Sequence, residues 1–319
     1  MGALAKRFEE SEAPKARFAF AEDTNSAVVD GVRVHVAVLC TIYRDLIKKM
    51  SDKLQELTFG ALLPKLFPPW EQLEKPNNTT PHFTAIPDNT NAVSDALHRS
   101  SLYGGFLSFS HHFMKFSRLH TFADHYYDQE RKIWRKEAAA MYLASCATFT
   151  QWMLSAIHLA SGQPCRATEL EVLTWRNTDH RVRSVYVTRG KCFCCFLPLL
   201  VCLPPFFLTC LPFPLFSITG TLCLLQTYHK SRSLTGQERP IWRFLPRDLG
   251  RLVALFLSYV KPLETTLAAL DEKEEEGEVT QHFLFVKFGA RFTDENIRET
   301  VSTALSLGLK ERFLFSGYR

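Results

Sequence analysis

A stretch of 27 residues without a charged side chain, residues 192–218, constrains the fold of this chain more than any other feature. The stretch is long enough to cross a bilayer as a helix, but it contains five prolines. Each proline in a helix interior removes a backbone hydrogen bond and costs about 3 kcal/mol or more. The stretch also separates two β-type segments that favour pairing, residues 185–188 and 222–228. Three interpretations stay open: a membrane span, an insertion into the core, and a translated intron.

The intron interpretation depends on the codons that the flanking residues allow. Gly190-Lys191-Cys192 can be encoded by GGT AAG TGC, which contains the splice donor GTAAGT, and Thr219-Gly220 can be encoded by ACA GGN, which contains the acceptor CAG. Both junctions interrupt a codon in the same phase. Splicing would remove residues 191–220 and join Arg189 through one glycine to Thr221. The product reads as a strand, a turn and a strand.

The composition is that of a globular protein. Hydrophobic residues make up 46% and charged residues 22% of the chain, which excludes wholesale disorder, collagen and a coiled-coil rod. The net charge of +5 permits a polyanionic partner but does not require one. The first 20 residues lack the apolar core of a secretory signal. We therefore expect the nine cysteines to be free thiols in a reducing compartment.

Helical periodicity dominates the pattern of apolar residues, and β-type runs are few. The spacing predicts helices over residues 34–57, 129–161, 166–173, 249–260 and 294–307, and strands over residues 185–188, 222–228 and 241–245. These elements predict a mainly α protein with a small antiparallel sheet, an α+β fold.

The breaks between these elements suggest two regions. Residues 1–128 form a mostly helical region with an irregular connector at 64–91, and residues 129–319 form a second region that is interrupted at 191–220. We expect residues 1–30 to lack regular structure. We also expect Gly162 to stop one helix, Pro262 to end another, Thr293 to cap a third, and residues 264–278 to form an acidic surface loop.

Arg166 is the first candidate for chemistry. It lies in the first turn of a predicted helix, directly after a break, and Glu169 follows three residues later on the same face. A carboxylate can hold such an arginine so that its planar fork makes bidentate contacts with a phosphate. A surface ion pair without function gives the same pattern.

The order of the motifs resembles the catalytic domain of tyrosine recombinases, the phage-integrase family. That family's first box reads like T-G-x-R-x-x-E-L-x-x-L-x-W, and its hairpin reads like Q-T-K-T followed by R-x-V-P-L. The matching residues are Ser161, Gly162, Arg166, Glu169, Leu170, Leu173 and Trp175, with two extra residues before the arginine, and then Gln226-Thr227-Tyr228-His229-Lys230 and Arg243-Phe244-Leu245-Pro246. The resemblance covers about residues 129–319. It extends to the diverged group that accompanies RecQ-like helicase genes in fungi, through Phe315-Ser316-Gly317-Tyr318-Arg319 at the end.

The resemblance implies a phosphate clamp. Arg166 and Arg319 would contact the non-bridging oxygens, and Lys230 would lie near the leaving group. Glu169 would support the clamp, and Ser316 stands where the family's second box has a histidine. The family's nucleophilic tyrosine lies downstream of the second arginine, whereas this sequence ends at Arg319. The resemblance therefore implies DNA binding without strand exchange.

The same resemblance implies the partners and the location. It implies duplex DNA as the partner, a homo-oligomer on DNA, no cofactor and a nuclear protein from a fungal mobile or helicase-linked gene. Basic residues between aromatic ones suit backbone contact and stacking, and they are Lys115, Arg118, Arg131, Lys132, Arg135 and Lys136. The alternatives are a non-enzymatic helical interaction module, a fragment of a helicase-associated protein, and a membrane-anchored protein spanning 192–218.

Two groups of potential metal ligands are better explained without a metal. Cys192, Cys194 and Cys195 have no second ligand pair at zinc spacing. The histidines between residues 111 and 125 lie among aromatic residues, and a half-buried aromatic helix explains them. We therefore expect no metal site.

Overall fold

Helices joined by short antiparallel sheets form most of the part of the chain that the structure describes. The computed structural model describes residues 18–20, 25–29, 32–58, 126–128, 130–131, 133–162, 165–178, 182–188, 221–226, 240–269, 279–280 and 282–309. These residues confirm the predicted mainly α class with a small antiparallel sheet.

The helices in these residues follow the predicted order. They are α1 (Val36–Leu57), α2 (Lys136–Ala160), α3 (Ala167–Leu170), α4 (Arg247–Leu255), a π-helical turn (Phe256–Val260), α5 (Lys261–Ala268) and α6 (Asp294–Leu309). Thr293 caps α6 as predicted, because its Oγ1 accepts a hydrogen bond from the backbone N–H of Asn296 at 3.3 Å. The predicted helix over 166–173 is shorter than expected, since only the four residues of α3 are helical.

The strands form four small antiparallel sheets in the described residues. They are β1 (Phe18–Phe20), β2 (Ser26–Val29), β3 (Val32–His35), β4 (Tyr127–Asp128), β5 (Ile133–Trp134), β6 (Val185–Thr188), β7 (Thr221–Gln226), β8 (Ile241–Phe244), β9 (Val286–Lys287) and β10 (Ala290–Arg291). The sheet that matters for the candidate site has the order β6-β7-β8. Its register pairs Thr188 with Thr221 and Gln226 with Ile241.

The expectation that residues 1–30 lack regular structure was wrong for Phe18–Phe20 and Ser26–Val29, and most of the other residues in this range lie outside the described part of the chain. The strands β1, β2 and β3 form a three-stranded meander, and Val29 pairs with Val32. The dipeptide Asp30-Gly31 separates those two residues. Asp-Gly between alternating apolar residues is a strong signature of a two-residue hairpin turn, and this signal was available in the sequence.

The core is built around the stripe of α1. Its buried residues recur every three or four positions and are Ile42, Leu46, Met50, Leu54 and Leu57. This stripe packs against α2 in one hydrophobic cluster, and the Tyr142 hydroxyl donates a hydrogen bond to the Leu57 carbonyl at 3.1 Å. The helix predicted in the N-terminal region therefore shares a core with the helix predicted to open the second region.

The start of α2 differs from the prediction. A helix from residue 129 was expected, but β4 and β5 form a small hairpin first, and the helix begins at Lys136. A hydrogen bond holds the hairpin against the start of the helix, since the backbone N–H of Arg135 donates to the Tyr126 carbonyl at 2.8 Å. The helical apolar spacing of this segment continues into a stretch that pairs as strands, and tertiary pairing overrides it.

The prediction that Pro262 ends a helix was also wrong. The helical path continues through the π-helical turn into α5, and Pro262 lies in the first turn of α5. Proline is favoured in the first turn of an α-helix, and here that turn follows directly on the π-helical turn.

The start of the predicted acidic loop is helical, and Glu264 within it is buried. Glu264 was expected to be on the surface, but it lies in α5, and its carboxylate is 2.9 Å from the Lys261 ammonium. Both side chains are buried. Residues 264–268 therefore belong to α5, and residues 270–278 of the predicted loop lie outside the described residues.

Candidate functional site

The candidate site begins at the end of α2. Gly162 has a positive φ of 86°, and the N–H of Ser161 donates to the Ile157 carbonyl. Glycine reaches this left-handed conformation without steric cost, so the predicted helix stop at Gly162 is confirmed. The chain then leads to Cys165 and Arg166 at the start of α3.

Arg166 is held through its backbone. Its N–H donates to the Glu169 carboxylate at 3.0 Å, and the Glu169 N–H donates back to the Arg166 carbonyl at 3.0 Å. The sequence suggested that Glu169 would hold the guanidinium, and the structure corrects this: the carboxylate binds the main chain. The Arg166 side chain is exposed, whereas Glu169 is buried. The arrangement fixes the position of the backbone and leaves the guanidinium facing solvent.

A buried relay joins this turn to the sheet. The Gln226 side-chain amide donates to the Glu169 carboxylate at 3.0 Å, and its oxygen accepts a hydrogen bond from Nε of Arg243 at 2.9 Å. All three side chains are at most 6% exposed. Gln226 thus separates a buried carboxylate from a buried guanidinium and hydrogen-bonds to both, which offsets the cost of burying the two charges.

The strand register explains why these side chains meet. Gln226 pairs with Ile241, and Leu224 pairs with Arg243. Residues two apart on a strand share a face, so Gln226 and Arg243 are diagonal neighbours on one face of the sheet, within reach of long side chains. Strand β7 ends at Gln226, four residues before Lys230 in the sequence.

The neighbours of the relay have shifted pKa values. Burial, and then the nearby Arg243 charge, lowers the pKa of His158 from 6.5 to about 4. Burial raises the pKa of Cys165 to about 12, and the Arg243 charge opposes this shift. At neutral pH His158 is therefore uncharged and Cys165 is a thiol, and its Sγ lies 3.9 Å from the Gln226 oxygen that it faces as a weak donor.

The structure brings together only some of the residues that the sequence suggested. Arg166 and Glu169 meet as described, whereas Lys230, Ser316 and Arg319 lie outside the described residues, as do Lys115, Arg118 and Lys132. The expectation that three cationic side chains converge on one surface therefore stays a prediction.

The other predicted DNA-contacting residues lie around the β4–β5 hairpin and the start of α2. Arg131, Arg135 and Lys136 are all exposed. Arg131 lies 3.9 Å from the Asp128 carboxylate, which is a weak surface pair. Arg135 and Lys136 flank a helix N-terminus, where the helix dipole favours anions rather than cations. A stabilising interaction with the helix dipole therefore does not explain why Arg135 and Lys136 are basic.

Sequence reasoning missed the relay, although Gln226 and Arg243 were both motif positions. The signal was two long polar residues within largely apolar strands. They lie on the same face of the sheet once the register of β7 and β8 is known. That register depends on how β7 and β8, which residues 227–240 separate in the sequence, pair with each other. A local sequence pattern does not determine this pairing.

Two absences concern the described part of the chain. No group of three or more His, Cys, Asp or Glu side chains there could hold a metal ion, and the histidines between 111 and 125 and the cysteines at 192–195 lie outside this part of the chain. No described helix is long and apolar enough to cross a membrane. Comparison with known proteins finds no family model and no solved structure that matches this chain.

Proposed function

We propose that this chain is a DNA-binding protein derived from a tyrosine recombinase, and that Arg166 binds a backbone phosphate of duplex DNA. The observation that carries the proposal is the contrast between an exposed guanidinium and the buried relay that fixes its backbone. The relay fixes the point on the backbone from which the guanidinium extends into solvent.

The chemistry of Arg166 suits a phosphodiester. A guanidinium presents a rigid fork of donors that matches phosphate oxygens. The Glu169 carboxylate is committed to the Arg166 main chain and to Gln226, and no ion pair within the described residues includes the Arg166 guanidinium. Its charge is available to a ligand.

The topology supports a second contact from the same sheet. Gln226 is the last residue of β7, and the hairpin between β7 and β8 contains Lys230. The relay links the Arg166 backbone to this strand end, and Lys230 follows that end by four residues in the sequence. The exposed Arg131, Arg135 and Lys136 add cationic groups for backbone contact.

The experiment is a titration of the chain with duplex DNA at several salt concentrations. We expect the logarithm of the affinity to fall linearly with the logarithm of the salt concentration, because phosphate contacts release counterions. The variant Arg166→Ala should bind at least about tenfold more weakly, and its salt slope should fall by about 1.

The matched control is Arg33→Ala, which removes an equally exposed arginine from β3, away from the relay. If the wild-type chain shows no salt-dependent binding, or if the two variants bind equally well, the proposed function is wrong.

A further inference from the structure

A cleft of about 290 Å³ lies between α1, α2 and α6, separate from the residues around Arg166. The three helices pack against one another in pairs, and β9 closes part of the cleft through Lys287. Trp152 provides half-buried aromatic surface in the lining, whereas Phe292 is buried in the wall behind it. A cleft of this size is at the small end of the range for ligand sites, roughly 300–1,000 Å³.

The charged groups of the cleft are not paired with one another. Lys49 and Lys287 supply two cations, and Asp45 and Glu299 supply two carboxylates. None of these four side chains belongs to an ion pair within the described part of the chain. Opposite charges that line one cleft without neutralising each other are available to a ligand with several kinds of polar group.

The neutral polar groups of the cleft restrict the kind of ligand that fits it. Two primary amides line the cleft, those of Gln151 and Asn296. The Asn296 oxygen accepts hydrogen bonds from the Thr293 hydroxyl at 3.0 Å and from the Thr293 backbone N–H at 3.4 Å. This amide can therefore only donate to a ligand, and Gln151 is the cleft amide that can both donate and accept. Thr300 and Thr303 add hydroxyl groups.

We propose that this cleft binds a single adenine nucleotide. An aromatic side chain such as Trp152 stacks on a base, and a glutamine amide such as that of Gln151 recognises the edge of adenine through its N6 and N7 positions. Lysine ammonium groups bind phosphate, and carboxylates accept hydrogen bonds from ribose hydroxyls. A mononucleotide uses every kind of group that the cleft presents, whereas a simple anion leaves the carboxylates and the aromatic surface without a partner.

The test is calorimetric titration of the full chain with 5′-AMP, adenosine and inorganic phosphate as separate probes. We expect saturable binding of 5′-AMP, with adenosine and phosphate each binding at least about tenfold more weakly. The variant Lys49→Met should weaken 5′-AMP binding by about tenfold or more, because it removes a charge-assisted hydrogen bond. The variant Glu299→Gln should weaken binding of 5′-AMP more than binding of phosphate.

The controls are the neighbouring exposed residues that do not line the cleft. Lys48→Met and Glu295→Gln remove the same charges from the same helices, and both should bind 5′-AMP like the wild type. The proposal is overturned if 5′-AMP does not saturate, if phosphate binds as tightly as 5′-AMP, or if Lys49→Met and Lys48→Met behave alike. Arg166→Ala should keep 5′-AMP binding, so the outcome is independent of the proposed DNA site.

Discussion

Thr188 at the end of β6 pairs directly with Thr221 at the start of β7. In the sequence the two threonines are separated by residues 189–220, which include the uncharged, proline-rich stretch. Their pairing brings the two ends of that segment to adjacent positions in the sheet. A short turn between the two threonines would therefore be enough to maintain this pairing.

The deletion of residues 191–220 should leave the fold intact. It places Arg189-Gly190 between the paired threonines, and a two-residue loop with glycine is a favoured hairpin connection. We expect the deletion variant to unfold cooperatively in urea, with a circular dichroism spectrum that retains the helical signal. This is also the product that the intron interpretation predicts, and transcript reads that span codons 191–220 without a gap would count against that interpretation.

The matched control deletes one more residue, so that residues 190–220 are missing. Only Arg189 then joins Thr188 to Thr221, which is too short for an antiparallel turn in this register. We expect this variant to be markedly less stable than the two-residue variant. Equal stability of the two deletions would contradict the register argument.

The same deletion reduces the number of cysteines, so that their reactivity can be assigned. It removes every cysteine except Cys40, Cys146, Cys165 and Cys223. Cys40 is exposed and the other three are buried, and burial raises the pKa of Cys146 and Cys165. Because the thiolate is the reactive form, we expect one thiol to react quickly with a disulfide reagent and three to react only on unfolding. More than one fast thiol would show that the packing around α2 or β7 is looser than described.

Replacing Gln226 with leucine should destabilise the protein. The variant loses both hydrogen bonds of the relay, to Glu169 and from Arg243, inside a buried site. A buried charged group that loses a partner costs about 1–3 kcal/mol or more. Urea unfolding should show a loss in this range, and DNA affinity should fall because the Arg166 backbone is less well held.

The control for this variant is Gln55→Leu, at an exposed position of α1. A surface substitution of this kind usually changes the free energy of unfolding by no more than about 0.5 kcal/mol. If Gln226→Leu were as mild as the control, the relay would have no part in stability.

Local pattern predicted the elements around the site better than the site itself. The spacing of Ile42, Leu46 and Met50 predicted α1, and the β-type runs at 185–188, 222–228 and 241–245 overlap the strands β6, β7 and β8. These signals are local, because each depends on residues a few positions apart. The contact between Glu169 and Gln226 spans 57 residues, and it depends on the hairpin register and on the length of the segment before Thr221. The sequence showed both residues but not their contact.

The errors at Pro262 and Glu264 have one cause. In a sequence, a proline indicates the end of a helix and a run of acidic residues indicates a surface loop. Neither indication takes account of the side chains that pack nearby in the fold. The π-helical turn lets the helix pass Pro262, and the Lys261 ammonium lets Glu264 be buried. Whether a charge is buried depends on a partner that composition does not show.

The stability of the protein should fall between about pH 6.5 and pH 4. The folded pKa of His158 is about 4, below its ordinary value of 6.5. The unfolded state therefore binds more protons in this window, and the free energy of unfolding decreases as the pH falls. The contribution of His158 is fully present above pH 6.5, and its loss amounts to at most roughly 3 kcal/mol.

The measurement is urea unfolding at a series of pH values. The variant His158→Gln keeps a polar side chain but does not titrate, so its slope between pH 6.5 and 4 should be smaller than that of the wild type. Parallel slopes for the two proteins would assign the acid sensitivity to other groups.

The buried pair of Lys261 and Glu264 gives the last prediction. Both side chains are at most 5% exposed, and the ammonium and carboxylate are 2.9 Å apart. Removing one partner leaves an uncompensated buried charge, so Lys261→Met should cost about 3–5 kcal/mol in the free energy of unfolding. The double variant Lys261→Met, Glu264→Leu removes both charges and should recover most of this loss, because apolar replacements of similar volume are often neutral or stabilising. Urea unfolding of the two variants compares these costs, with Lys48→Met on the exposed face of α1 as the control for loss of a lysine. If the double variant were less stable than the single one, the pair would stabilise the fold by more than the mutual neutralisation of its two charges.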